Sequence, residues 1–132
     1  MTDNQEILDT IKINVPNKPE YVSVVRLTTS AIANKIGFNI EEIDDIKVAI
    51  AEACTKAINN GIKNKNINIE FEIHSNAMTI ITEYEKDKNI ESSKEAELGL
   101  FIIQSLMDKV ELVDANDIYK IKMIKEIEDV VK

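Results

Sequence analysis

The sequence predicts a two-layer α+β sandwich, with a mixed sheet covered on one face by three helices. Two patterns carry that prediction. Apolar residues alternate in some stretches and recur at three- and four-residue steps in others, in the order strand, helix, helix, strand, strand, helix, strand, strand. Each candidate strand also shows one apolar side only, so one face of the sheet is covered by helices and the other meets water. A chain of 132 residues with 44% hydrophobic content is expected to fold as a single domain over residues 1–132. A chain of this size buries roughly two thirds of its unfolded surface, enough for a core without disulfides.

The elements follow in order. Ile7 to Val15 alternates as a strand, and Pro16 and Pro19 end it. From Pro19 to Ile36, the residues Val22, Val25, Thr29, Ile32 and Ile36 form a helical stripe, closed by Gly37. Asn39 is the expected N-cap of the second helix, with Glu41 and Glu42 placed where the helix dipole favours carboxylates. That helix runs to about Asn60 and ends at Gly61. Ile67, Ile69, Phe71 and Ile73 then alternate with Asn68, Glu70, Glu72 and His74, and a turn at Ser75 and Asn76 pairs this strand with Ala77 to Glu85. His74 is accordingly expected at the surface. Lys86 to Lys94 is polar and irregular, and a third helix is expected from Glu95 to Met107. Two strands, Val110 to Val113 and Ile118 to Ile127, flank a turn at Asp114 to Asp117.

Composition excludes several functions. A net charge of −8 argues against nucleic acid as the main ligand and suits a partner with a basic face. The longest apolar runs fall far short of a membrane span. The acidic, polar start MTDNQEILDT does not read as a secretory signal, so the expected address is the cytoplasm. With one histidine and one cysteine there is no convincing zinc site or Ser/His/Asp triad, and no metal site is expected from such ligands. Cys54, Met78, Met107 and Met123 read as core.

The informative stretch is KVAIAEACTKA, Lys47 to Ala57. Ile43, Ile46, Ile50, Ala53 and Ala57 supply a core stripe. Glu52 is the only charged residue between Lys47 and Lys56, in a segment otherwise small and apolar. A helix apolar nearly all round is usually covered on both sides, so Glu52 either lines a cleft or lies at an interface. The alternative is a solvated carboxylate with an i, i+4 contact to Lys56.

Three segments carry a resemblance: PEYVSVVRLTTSAIANKIG, IKVAIAEACTKA and ELGLFIIQSLMDKV. They are similar to the three helices of the RsbW-type anti-sigma factors, which are serine-protein kinases of the GHKL superfamily with the histidine-kinase-like ATPase (Bergerat) fold. The resemblance implies that Glu52 matches the general base that activates a substrate serine. It also implies that Lys56 stands where the family has an asparagine ligating Mg²⁺. Lysine has three donors and no acceptor oxygen, so it is no ordinary Mg²⁺ ligand. The family's D-x-G-x box, which holds adenine, reads Glu83, Tyr84, Glu85, Lys86 here. Glu85 in place of glycine adds bulk and charge where backbone must approach the base. The family's phosphate-cradling glycine loop is reduced to Ala96, Glu97, Leu98, Gly99, with Glu95 and Glu97 opposing phosphate at a helix N-terminus. The Lys86 to Lys94 segment before it is short for the family and lacks glycine.

The resemblance therefore implies an anti-sigma factor that sequesters a sigma factor through its first helix, where Glu20 and Arg26 match the partner-facing pattern. It implies an anti-anti-sigma protein as second partner, and a homodimer. The altered positions Lys56, Glu83 and Glu85, with a glycine loop of which only Gly99 survives, imply weak or no ATP binding, since such mismatches cost about 1–3 kcal/mol each. Two alternatives stand beside this reading. One is an active kinase using ATP and Mg²⁺ to phosphorylate the anti-anti-sigma protein, with Glu52 as base. The other is an altered pocket for another small ligand.

Overall fold

The computed structural model describes residues 6–90 and 94–128. The first five residues of the stretch read as lacking a signal lie outside the described residues, as do 91–93 of the irregular segment. Strand β1 (Asp9–Pro16) leads through a 3₁₀ turn (Pro19–Tyr21) into α1 (Val22–Ile36) and α2 (Ile40–Asn60). The hairpin β2 (Asn66–Ile73) and β3 (Ala77–Glu85) follows, then α3 (Lys94–Leu106), β4 (Lys109–Ala115) and β5 (Ile118–Glu126). The strands form one sheet in the order β1-β2-β3-β5-β4.

The α+β class expected from the sequence is the class observed, but the sheet is antiparallel at every pairing rather than mixed. The reason lies in the last hairpin. Helix α3 returns the chain so that β4 runs parallel to β3, and the tight β4–β5 turn then inserts β5 between them. The two parallel strands never touch. Asn116 makes that turn with a φ of 59°, in the left-handed region that asparagine tolerates.

Alternation sorts the sheet into two faces. Ile67, Ile69 and Phe71 of β2, Met78, Ile80 and Tyr84 of β3, and Tyr119, Ile121 and Met123 of β5 are buried beneath the helices. On the open face, Lys12 lies opposite Glu70, Glu83 opposite Lys120, and Glu111 opposite Lys122, so opposite charges meet across strands. Helix α2 packs between α1 and α3 and supplies Ile46, Ala49, Ile50, Ala53, Cys54 and Ala57 to the core. Burial pushes the Cys54 thiol up to about 12, as befits a core sulfur rather than a nucleophile.

The cap of α2 is as the sequence predicts. Asn39 Oδ1 accepts from the Glu42 amide at 2.7 Å, and Glu42 Oε1 accepts from the Asn39 amide at 2.8 Å, a complete capping box. Gly37 closes α1 with a φ of 113°. His74 departs from expectation: it is buried, not at the surface. It follows the last residue of β2, where the pleat no longer fixes its direction. Its Nδ1 lies 3.0 Å from the Glu6 carbonyl oxygen, and Nε2 lies 3.3 Å from Thr79 Oγ1.

Candidate functional site

The residues singled out at Glu52, Lys56 and Gly99 converge where the C-terminal half of α2, the start of α3 and the ends of β3 and β5 meet. Glu52 is half-buried and faces α3: a Cβ added to Gly99 would stand 2.9 Å from Glu52 Oε1. Gly99 is therefore the residue that lets the two helices close over the carboxylate. Glu52 thus packs against the third helix rather than standing free in solvent.

Lys56 lies one turn further along α2 and turns toward the sheet. Its Nζ sits 5.1 Å from the centroid of the Tyr119 ring, within cation–π range. Burial holds its ammonium below the usual lysine range, while the nearby charges of Asp114 and Glu97 oppose that shift.

Two aromatic residues complete the cluster, and sequence reasoning missed both. Tyr84 and Tyr119 are only 4% and 8% exposed, with ring centroids 5.4 Å apart and planes tilted by 42°. They face each other across the β3–β5 register. Burial, with Tyr119 and Asp114 nearby, holds the Tyr84 phenol above the usual tyrosine range, opposed by the Asn60 side chain near the end of α2. Tyr119 is raised likewise, first by burial and then by Asp114. The signal was present in the sequence: Met78, Ile80, Thr82 and Tyr84 share one side of β3 by simple alternation.

That alternation corrects the placement expected of Glu83 and Glu85. Both point to the open face of the sheet, away from Glu52 and Lys56. Glu83 Oε1 lies 3.7 Å from Lys120 Nζ, and Glu85 Oε1 lies 3.8 Å from Lys65 Nζ. The pleat allows only one of three consecutive residues to face the helices here, and it is Tyr84.

The floor of the cluster is packed tightly. Gly61 has a φ of −93°, which any residue adopts, so its glycine is required by space instead. A Cβ there would meet the Ala57 carbonyl oxygen at 2.6 Å, Asn17 Nδ2 at 3.0 Å and Tyr84 Cδ2 at 3.0 Å. Asn17 donates to the carbonyls of Ala57 at 2.9 Å and Ile62 at 3.3 Å, which satisfies the end of α2. The first residues after β3 are tied to the same place. The Asp87 amide donates to the Asn60 carbonyl at 2.9 Å, the Lys86 amide to the Asp117 carbonyl at 2.7 Å, and Lys86 Nζ pairs with Asp114.

The remaining singled-out residues, Glu20 and Arg26, lie elsewhere, exposed on the 3₁₀ turn and on α1. They do not join the cluster. No group of histidine, cysteine, aspartate and glutamate among the described residues is arranged to hold a metal ion. The cluster does not fit a nucleotide with Mg²⁺ either. An ammonium stands where the resemblance puts a Mg²⁺ ligand, and the chain's own aromatic rings pack beside it at the end of the sheet. No helix of the described residues is long and apolar enough to cross a membrane.

Comparison with known proteins matches the chain to a family. The model of the histidine kinase-like ATPase domain matches residues 15–125. The serine-protein kinase RsbW of Halalkalibacterium halodurans is 38% identical over 122 residues, covering 79% of this chain and 75% of that protein. That of Bacillus pumilus is 33% identical over 142 residues, covering 91% of this chain and 87% of its own length. Among solved structures, the RsbU and RsbW domains of a Mycobacterium tuberculosis protein superpose with a TM-score of 0.74 at 14% identity. That match covers 89% of this chain but only 32% of the larger one, and it shows a shared fold.

Proposed function

The chain belongs to the RsbW-type branch of the histidine kinase-like ATPase family, and on that premise we propose that it is an anti-sigma factor that holds its partner without using ATP. The observation that carries the proposal is the packing of Lys56, Tyr84 and Tyr119. A cation and two rings of the chain itself stand where relatives of this fold would need a metal ligand and an open pocket for a base. Gly99 supports the same reading, because its closeness to Glu52 leaves little room between α2 and α3 for a phosphate chain.

In this reading the residue changes at the site are linked. Replacing a neutral Mg²⁺ ligand with Lys56 removes the need for a metal and supplies a positive charge among Glu97 and Asp114. Tyr119 gives that charge a π face, and Tyr84 supports Tyr119 from β3. The domain then acts through its surface. Glu20 and Arg26 flank the start of α1, where Val24 and Leu27 also stand exposed, and this helix is the surface that grips a sigma factor. We place the protein in the cytoplasm as a homodimer of single-domain chains, with an anti-anti-sigma protein as the competitor that releases the sigma factor.

The test is direct binding of the purified chain to sigma factors of its source cell, with and without ATP and Mg²⁺. Capture of one sigma factor at equal affinity in both conditions is expected, weakened about tenfold by Arg26→Ala. Failure to bind any of them, or binding that requires ATP, would overturn the proposal. One observation favours a second reading: Glu52, the residue that matches the family's general base, is retained and faces α3. That reading requires phosphate transfer to a serine of an anti-anti-sigma protein, abolished by Glu52→Ala.

A further inference from the structure

Of the three phenylalanines in the chain, Phe38 and Phe71 are buried, whereas Phe101 on α3 is 65% exposed. Leu98, three residues earlier on the same side of the helix, is 58% exposed. The opposite side of α3 is conventional core, with Ile103 fully buried. An exposed leucine alone is unremarkable, but two large apolar side chains one turn apart invite a partner.

The neighbouring helix extends the patch. Gly99 meets Glu52 near the start of α3, while Lys125 Nζ donates to the Leu106 carbonyl at 2.7 Å and lies 3.9 Å from Asp45 near the start of α2. These contacts set α3 antiparallel to α2. They bring Val48, itself 44% exposed, level with the turn that carries Phe101. Val48, Leu98 and Phe101 thus form an apolar strip along the outer side of the α2–α3 pair. Helix α1, with the surface assigned above to the sigma factor, lies beyond α2 on the other flank.

Charge indicates what the strip takes. Glu95 and Glu97 are exposed on α3, and Glu41 and Asp44 are exposed on the outer side of α2, against the exposed Lys94 and the half-buried Lys47. The whole chain carries −8. An acidic partner or an anionic lipid surface would be repelled. A helix with apolar residues on one side and lysine or arginine on its borders matches both the strip and its rim. We propose that the outer α2–α3 face is a second docking surface, distinct from α1, and that its occupant is a basic amphipathic helix of a protein partner.

The probe is a synthetic 18-residue helix of leucine and lysine, with its leucine–glutamate counterpart as control, titrated into the ¹⁵N-labelled full chain. Amide shifts confined to residues 94–105 and the turn around Val48 are expected with the basic peptide alone. Phe101→Ser should weaken that binding at least about tenfold while the melting temperature stays unchanged, because the ring is exposed. Leu98→Ser should act in the same direction. Shifts centred on Val24 and Leu27 of α1, equal binding of the acidic peptide, or no loss with either variant would overturn the assignment. So would a Phe101→Ser change in oligomeric state, which would make the strip an interface between copies. None of these outcomes bears on sigma-factor capture through Arg26, so the two surfaces are tested separately.

Discussion

The two ends of α2 are built by different rules. At its N-terminus the helix is fixed by local chemistry: Asn39 and Glu42 satisfy each other's amides, and Ile43, Ile46 and Ile50 follow at helical spacing. At its C-terminus almost nothing is local. Gly61 is there because Tyr84 and Asn17 crowd it, the Asn60 carbonyl accepts from the Asp87 amide, and Lys56 reaches to a ring on β5. The first end holds the fold, and the second is where Lys56, Tyr84 and Tyr119 pack together from three elements. Local rules suffice for a scaffold, whereas a site is assembled from distant parts of the chain.

The contrast can be broken experimentally. Truncating Tyr84 to alanine removes a buried ring that supports Tyr119 and abuts Gly61. A loss of about 3 kcal/mol is expected in denaturant unfolding, and a loss below about 1 kcal/mol would mean that the cluster is loosely packed. Gly61→Ala forces a methyl against the Ala57 carbonyl oxygen, and about 2 kcal/mol of destabilisation is expected. If φ alone mattered, that variant would be stabilised instead, since the backbone there is ordinary. At the other end, Asn39→Ala removes one cap bond, and thermal unfolding should report about 1 kcal/mol. A larger effect at Asn39 than at Tyr84 would reverse the ranking of the two ends.

The same division explains what could be read in the sequence. The order of elements, the cap at Asn39, the left-handed Gly37 and the core positions of Cys54 and the three core methionines were legible, because each depends on neighbours within a few residues. The mixed sheet was not, because strand order depends on which edge the last hairpin chooses. His74 was misplaced, since the pleat that orients residues within β2 ends at Ile73. At the site, Glu52 was legible from the helical pattern, whereas Lys56 and Gly99 were singled out by the family resemblance alone; Gly99 packs against Glu52, and Lys56 turns to Tyr119. Glu83 and Glu85 were chosen by similarity of charge to a motif, while the two-residue period of β3 turned them to the open face and turned Tyr84 inward. Tyr119 shares the inner face of β5 with Ile121 and Met123 by the same alternation, yet its role follows only from the pairing that sets it opposite Tyr84.

The central claim is that the chain's own residues occupy the position a nucleotide would need. Isothermal calorimetry of the purified chain with ATP, with and without Mg²⁺, tests it most directly. No heat of binding at millimolar ATP in either condition is the predicted result. Tight, Mg²⁺-dependent binding would contradict the account and make the kinase reading the correct one.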